Sequence, residues 1–203
     1  MSQTTADGRP ASYAAASKWL HWIIAFLVLV ALPMGVLLDK LPEGPLQDRL
    51  FDLHRSLGVL VLALAFLRVI ARQTFGAPAP AAVLTRFERA ASAAAHHSLL
   101  LLLFLQPFVG WLSMDAYRAD VSVFGLFTLP HLLPQGDAAY KFLSATHTVL
   151  GYLMALILVA HIGGGLLHGF VRRDGVLNRM LPANWGRSLD QSAGPAGRAN
   201  RSE

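Results

Sequence analysis

The chain has 203 residues, of which 54% are apolar and 14% charged, and its charges gather between long uncharged runs. This is the pattern of one small integral membrane domain set in a lipid bilayer, with no room for a second. No cysteine is present, which excludes disulfides, thiolate metal sites and cysteine-ligated iron–sulfur clusters and leaves His and Met as soft ligands. The formal charge of +5 lies in bases that flank the apolar runs, where it fixes topology and meets anionic lipid rather than nucleic acid.

Residues 1–12 are small and polar without a hydrophobic period, and are expected to form a disordered lead. The first apolar run, 19–38, is interrupted only by His21 and Pro33. It is too long for a signal-peptide core and predicts a transmembrane helix entered from about Tyr13. A polar connection over 39–53 leads to a second span near 51–71, with His54 and Arg55 at its start and Arg68 and Arg72 at its exit. After a connection carrying Pro78, Pro80, Arg86 and Arg89, a third span is predicted over 93–114, with His96 and His97 at its start and a kink at Pro107. The connection 115–145 is long, and its Phe- and Leu-rich centre, 121–133, predicts a short helix lying on the membrane surface. The fourth span, 146–171, is followed by Arg172, Arg173 and Arg179 and by a Ser/Gly/Ala/Arg tail, 183–203, expected to be disordered. The fold class is therefore all-α: an integral membrane four-helix bundle over residues 13–182 with a short surface helix.

Bases set the orientation. Arg68, Arg72, Arg86, Arg89 and the basic C-terminal flank contrast with a third connection holding only Arg118 and Lys141 against Asp115, Asp120 and Asp137. The positive-inside rule then puts both termini and the second connection in the cytoplasm, and the first and third connections outside.

The fourth span carries His147, His161 and His168, in steps of fourteen and seven residues. At ~100° per residue these imidazoles fall within about 40° of one face, and the first two are separated by ~21 Å along the axis. His54 starts the second span as His147 starts the fourth, both from outside, while His21 is early in the first span and His161 nears the cytoplasmic exit of the fourth. Two imidazole pairs result, one in each leaflet. Ionisable side chains in lipid are costly and face partners within the bundle. One helical turn beyond the four histidines stand Ala25, Gly58, Gly151 and Gly165. Small residues there clear flat space beside each ring, though they also serve close helix packing. Paired imidazoles without cysteine suit bis-imidazole ligation of haem iron, which fills both axial positions and favours electron transfer. A lone intramembrane His also serves as an interhelical hydrogen-bond partner. Zinc or copper is the remaining alternative, but no Asp or Glu accompanies the histidines inside the spans beyond Asp52 at the start of the second. Arg68 and Arg72 are candidate partners for haem propionates, or plain topology-setting charges. His168 is a candidate hydrogen-bond donor to a quinone carbonyl or an ordinary interfacial His; His96 is the next candidate for that role, and His131 is read as structural.

Four segments carry a resemblance. Lys18-Trp19-Leu20-His21-Trp22, HRSLGVLVLALAFLRV from His54, VFGLFTLP from Val123 and HTVLGYLMALILVAHIGGGLLHGFVRRDGVLNRMLP from His147 closely resemble the bacterial cytochrome b561 family over about residues 13–182. The resemblance implies a multi-pass protein of the bacterial inner membrane with two haems b, whose iron ligands carry over to His21, His54, His147 and His161. It implies ubiquinone as electron acceptor and a donor in the periplasm. One member type is a superoxide oxidase, a superoxide:ubiquinone oxidoreductase, in which a His near the quinone corresponds to His168. Similar bundles are haem subunits of hydrogenases and other dehydrogenases. The chain departs from the superoxide pattern in its first connection, where Asp39, Glu43, Asp48 and Asp52 oppose the steering of an anion that Lys40, Arg49, Arg55 and Lys141 would provide.

Overall fold

The structure, a computed structural model, describes residues 12–81 and 83–182; the expected disordered tail and all but Ser12 of the expected lead lie outside these residues. Four helices are each long and apolar enough to cross a membrane. They are α1 (Ala15–Leu38), α2 (Pro45–Phe75), α3 (Arg86–Tyr117) and α4 (Asp137–Leu166). A π-helical turn, Leu167–Val171, and a 3₁₀ turn, Leu177–Arg179, complete the chain order.

α2 and α3 start earlier than their apolar runs suggest, because a Gly-Pro start and a capping box rather than hydropathy set their first turns. Gly44, at φ 150°, is followed by Pro45 at the first position of α2 and Asp48 in its first turn, placing a rigid residue where no intrahelical donor is needed and a negative charge at the positive end. α3 begins with a capping box: the Glu88 N–H donates to Thr85 Oγ1 (3.2 Å) and the Thr85 N–H to Glu88 Oε2 (2.9 Å). Pro33 and Pro107 both sit inside continuous helices.

One expectation is overturned. No helix forms over 121–133; the segment is a small antiparallel hairpin, β1 (Ser122–Val123) and β2 (Phe127–Thr128). Phe124 (φ 51°) and Gly125 (φ 72°) form its turn, and two consecutive positive φ values favour a tight hairpin and forbid a helix. Ser56 of α2 is 2% exposed and holds the hairpin down. Its hydroxyl oxygen accepts the Phe124 N–H (2.9 Å), and its O–H lies within reach of the Asp52 and Ser122 carbonyls (2.8 and 3.2 Å). The rest of the connection closes on Asp115, 1% exposed, which accepts the N–H groups of Leu132 and Leu133 (both 2.6 Å) and pairs with His131 Nδ1 (2.5 Å).

The core is a layer midway along the bundle: Ile24 and Val28, Val61 and Ala65, Leu102 and Leu103, and Met154. Large apolar side chains such as Phe26, Phe66, Leu156 and Val159 point outward, each more than half exposed, as a lipid-facing surface requires. Close backbone packing joins α3 to α4, α1 to α2 and α2 to α3. Neither α1 with α4 nor α2 with α4 belongs to these closely packed pairs.

Candidate functional site

The histidines meet across the two loose helix pairs. At the hairpin end, His54 of α2 faces His147 of α4 with ring centres 6.2 Å apart and planes at 88°. At the other end, His21 of α1 faces His161 of α4, again at 6.2 Å, with planes at 77°. Two imidazole nitrogens on opposite sides of one metal, each bonded at about 2.0–2.1 Å, put the ring centres about 6 Å apart. Among the described residues no group of three or more His, Asp or Glu converges as a metal-ion site of the zinc or copper kind would require.

A cavity of about 330 Å³ opens between α1, α2, α3 and α4 around His54 and His147, with Phe51, Gly58, Gln106 and Gly151 in its wall. His147 is held from α3: its Nδ1 lies 3.0 Å from the Gln106 carbonyl oxygen, and the Gln106 side-chain amide donates to the His147 carbonyl (3.0 Å). That contact fixes the tautomer with the proton on Nδ1 and leaves Nε2 as the lone-pair nitrogen. His54 Nδ1 is buried without a hydrogen bond of normal geometry, the Ala31 carbonyl being the backbone acceptor that faces its ring.

Glycines cradle these rings, and they are not the ones the i+4 pattern singles out. A Cβ on Gly35 of α1 would stand 2.9 Å from His54 Cε1, and one on Gly110 of α3 would stand 2.8 Å from His147 Cε1. Gly58 and Gly151 do line the cavity, but their own Cβ positions face Pro107 (3.8 Å) and Gln106 Nε2 (3.1 Å). Gly165 faces Leu177 (4.0 Å) rather than His161. The reason is the tilt of helical side chains toward their own N-terminus, which carries each imidazole away from the residue one turn ahead.

At the second level the structure adds His96, whose ring centre is 4.9 Å from that of His161 at 89°. Its Nδ1 is bound to the Ser92 carbonyl (2.5 Å), so Nε2 is its other functional edge. Arg68, Arg72 and His96 line a small recess beside the pair, and Arg68 is anchored through the Ser17 carbonyl (3.3 Å). His97 instead turns to the Ala93 carbonyl (2.7 Å). His168 is in the π-helical turn, with Nδ1 2.6 Å from Asp174 Oδ2. Sequence reasoning missed Gly35, Gly110, Gln106 and Asp174; each acts on a histidine of another helix or across a turn, a relation visible only once the helices are paired.

These features fit a flat group clasped between two axial nitrogens: paired rings at metal-spanning distance, helix backbones standing apart where the rings meet, and a glycine seat behind His54 and His147. Fold and site together define a membrane four-helix bundle with histidines paired at two depths. The sequence matches the family described as prokaryotic cytochrome b561 over residues 12–183, and the chain belongs to that family. It is 31% identical to cytochrome b561 homolog 2 of Escherichia coli (strain K12) over 174 residues, covering 85% of this chain and 92% of that protein. It is 25% identical to cytochrome b561 homolog 1 of the same organism over 167 residues, 81% of this chain and 93% of that one. A protein named probable superoxide oxidase CybB, from Yersinia pestis, is 24% identical over 172 residues, 82% and 94% of the two chains. Membership implies b-type haem and electron transfer across a bacterial membrane.

Proposed function

We propose that the protein carries electrons across the bacterial inner membrane through two haems b, from a periplasmic donor to the ubiquinone pool. The observation that supports this reading is the twofold pairing of imidazoles, each pair 6.2 Å between ring centres and bridging helices that do not pack closely. His54 and His147 would hold one haem, His21 and His161 the other. Bound there, haem would supply a reversible one-electron iron couple. The chain's own groups do the rest. The Gln106 carbonyl orients His147; Arg68 and Arg72 supply cations for propionates; the apolar layer from Ile24 to Met154 keeps water out between the levels. His168, seven residues beyond His161, offers a hydrogen bond to a quinone at the cytoplasmic end, in the orientation with both termini cytoplasmic.

Superoxide is the donor suggested by the Yersinia relative's name. The test is stopped-flow mixing of purified, haem-loaded protein with superoxide and a soluble ubiquinone analogue. Rapid appearance of reduced b bands followed by reoxidation is the expected result. A second reading, a haem subunit reduced by a partner dehydrogenase, is favoured by the carboxylates near the outer mouth, where Asp39 itself lines the cavity. In that case superoxide leaves the bands unchanged and a protein donor is needed.

A further inference from the structure

The cavity around His54 and His147 holds a charge that iron ligation leaves unused. Arg55 follows His54 on α2 and, among the described residues, is the one arginine or lysine in the cavity wall; Asp39 is the one carboxylate. The Arg55 side chain is only 23% exposed. A cation drawn this far out of water beside an apolar cavity requires an anion.

The contacts of the guanidinium engage one part of it. Nη1 donates to Asp52 (3.1 Å), whose side chain is 63% exposed, and Cζ lies 5.7 Å from the centre of the Phe51 ring. An exposed ion pair within one helix contributes little. Nε, by contrast, is buried and has no hydrogen-bond partner. It belongs to the Nε–Nη2 edge, whose two parallel N–H bonds match the two oxygens of a carboxylate. A buried N–H without an acceptor is costly. Ser113 of α3 adds a second such donor. About one turn from Gly110 toward the hairpin end, it is 3% exposed, lines the same cavity and has a hydroxyl without a partner. Two buried donors in one cavity wall call for an acceptor inside it.

We propose that Arg55 anchors a propionate of the haem held by His54 and His147, through its Nε–Nη2 edge, with Ser113 as a second donor. The inference rests on the haem reading above. A haem b is a flat apolar ring with two propionates along one edge, so a wall with a single cation decides which edge faces it. Arg55 thereby sets the orientation of the ring between the two imidazoles and slows its escape. By offsetting a negative charge near the iron it also favours the reduced state and raises the reduction potential. At the other level Arg68 and Arg72 stand beside the second pair, so each level has cations of its own.

The test follows haem transfer from loaded, detergent-purified protein to excess apomyoglobin, read from the Soret band, together with a potentiometric titration of the b bands. Arg55→Gln should speed one of the two phases of haem loss by about tenfold and lower one midpoint potential, leaving the other phase and the other potential unchanged. Arg55→Lys, which keeps the charge without the fork, should fall between the two. Reconstitution with haem dimethyl ester, which has no free carboxylate, supplies the second arm. Wild type should lose the ester faster than native haem, and Arg55→Gln should lose it no faster than wild type does. Unchanged rates and potentials in Arg55→Gln overturn the inference. So does equal acceleration of both phases, which marks a general loosening of the bundle, or an acceleration by Arg55→Gln that persists with the ester, which shows the arginine acting without a carboxylate. Should Arg55→Gln load one haem only, the wild-type ester arm decides, and loss of the ester at the rate of native haem overturns the inference. A wild-type preparation that binds no haem would overturn the haem reading, and the inference with it.

Discussion

An imidazole inside an apolar bundle needs a partner for each nitrogen, and the residues around His147 show how the chain meets that need. The Gln106 carbonyl takes Nδ1, and Gly110 supplies the space the ring occupies. A larger side chain at 110 must push the ring out of it. Gly110→Val should therefore lower haem content toward about one per chain, through overpacking at the hairpin-end pair alone; haem-to-protein ratios of purified variant and wild type would check this, and equal ratios would contradict the seat. At this scale the sequence made the four paired histidines legible, because rise per residue converts position into depth and depth needs no knowledge of neighbours. It did not reveal Gln106, which is separated from His147 by 41 positions, or the role of Gly35 and Gly110. Those depend on which helix faces which.

Among the elements, the four helices are written in the apolar runs, but the starts of α2 and α3 are written in the polar sequence before those runs. The Thr85 and Glu88 capping box and Gly44-Pro45 start α3 and α2 in polar sequence, where a hydropathy reading sees only connection. The hairpin over 122–128 shows the opposite limit. A Phe- and Leu-rich stretch near a membrane surface suits an interfacial helix by composition, yet Phe124 and Gly125 take positive φ and Ser56 binds the turn backbone from another element. Ser56→Ala would take the acceptor from the part-buried Phe124 N–H, at a cost of roughly 0.5–1.5 kcal/mol. A lowered thermal midpoint in detergent, with the haem spectrum kept, is the expected outcome; an unchanged midpoint would show that the hairpin holds itself. For His168 the relevant element is the turn to Asp174. His168→Ala should keep both haem spectra and the response to the donor while slowing reoxidation by quinone, and loss of a haem would instead assign it to iron.

For the molecule as a whole, an apolar exterior encloses two polar levels separated by a packed layer. Two haems held at the proposed levels, with His147 and His161 ~21 Å apart along α4, would be close enough for electrons to pass without movement of the protein. In the proposed orientation the segment 75–90 is cytoplasmic, so reporter fusions there should be active only for a cytoplasmic reporter; the opposite result would invert the donor and quinone ends together. The account stands most directly on haem stoichiometry. Pyridine haemochrome analysis of well-loaded, detergent-purified protein should give two haems b per chain, with one remaining in His147→Ala and one in His21→Ala. A wild-type preparation with no haem, or variants that keep both, would contradict the assignment of the paired histidines as iron ligands.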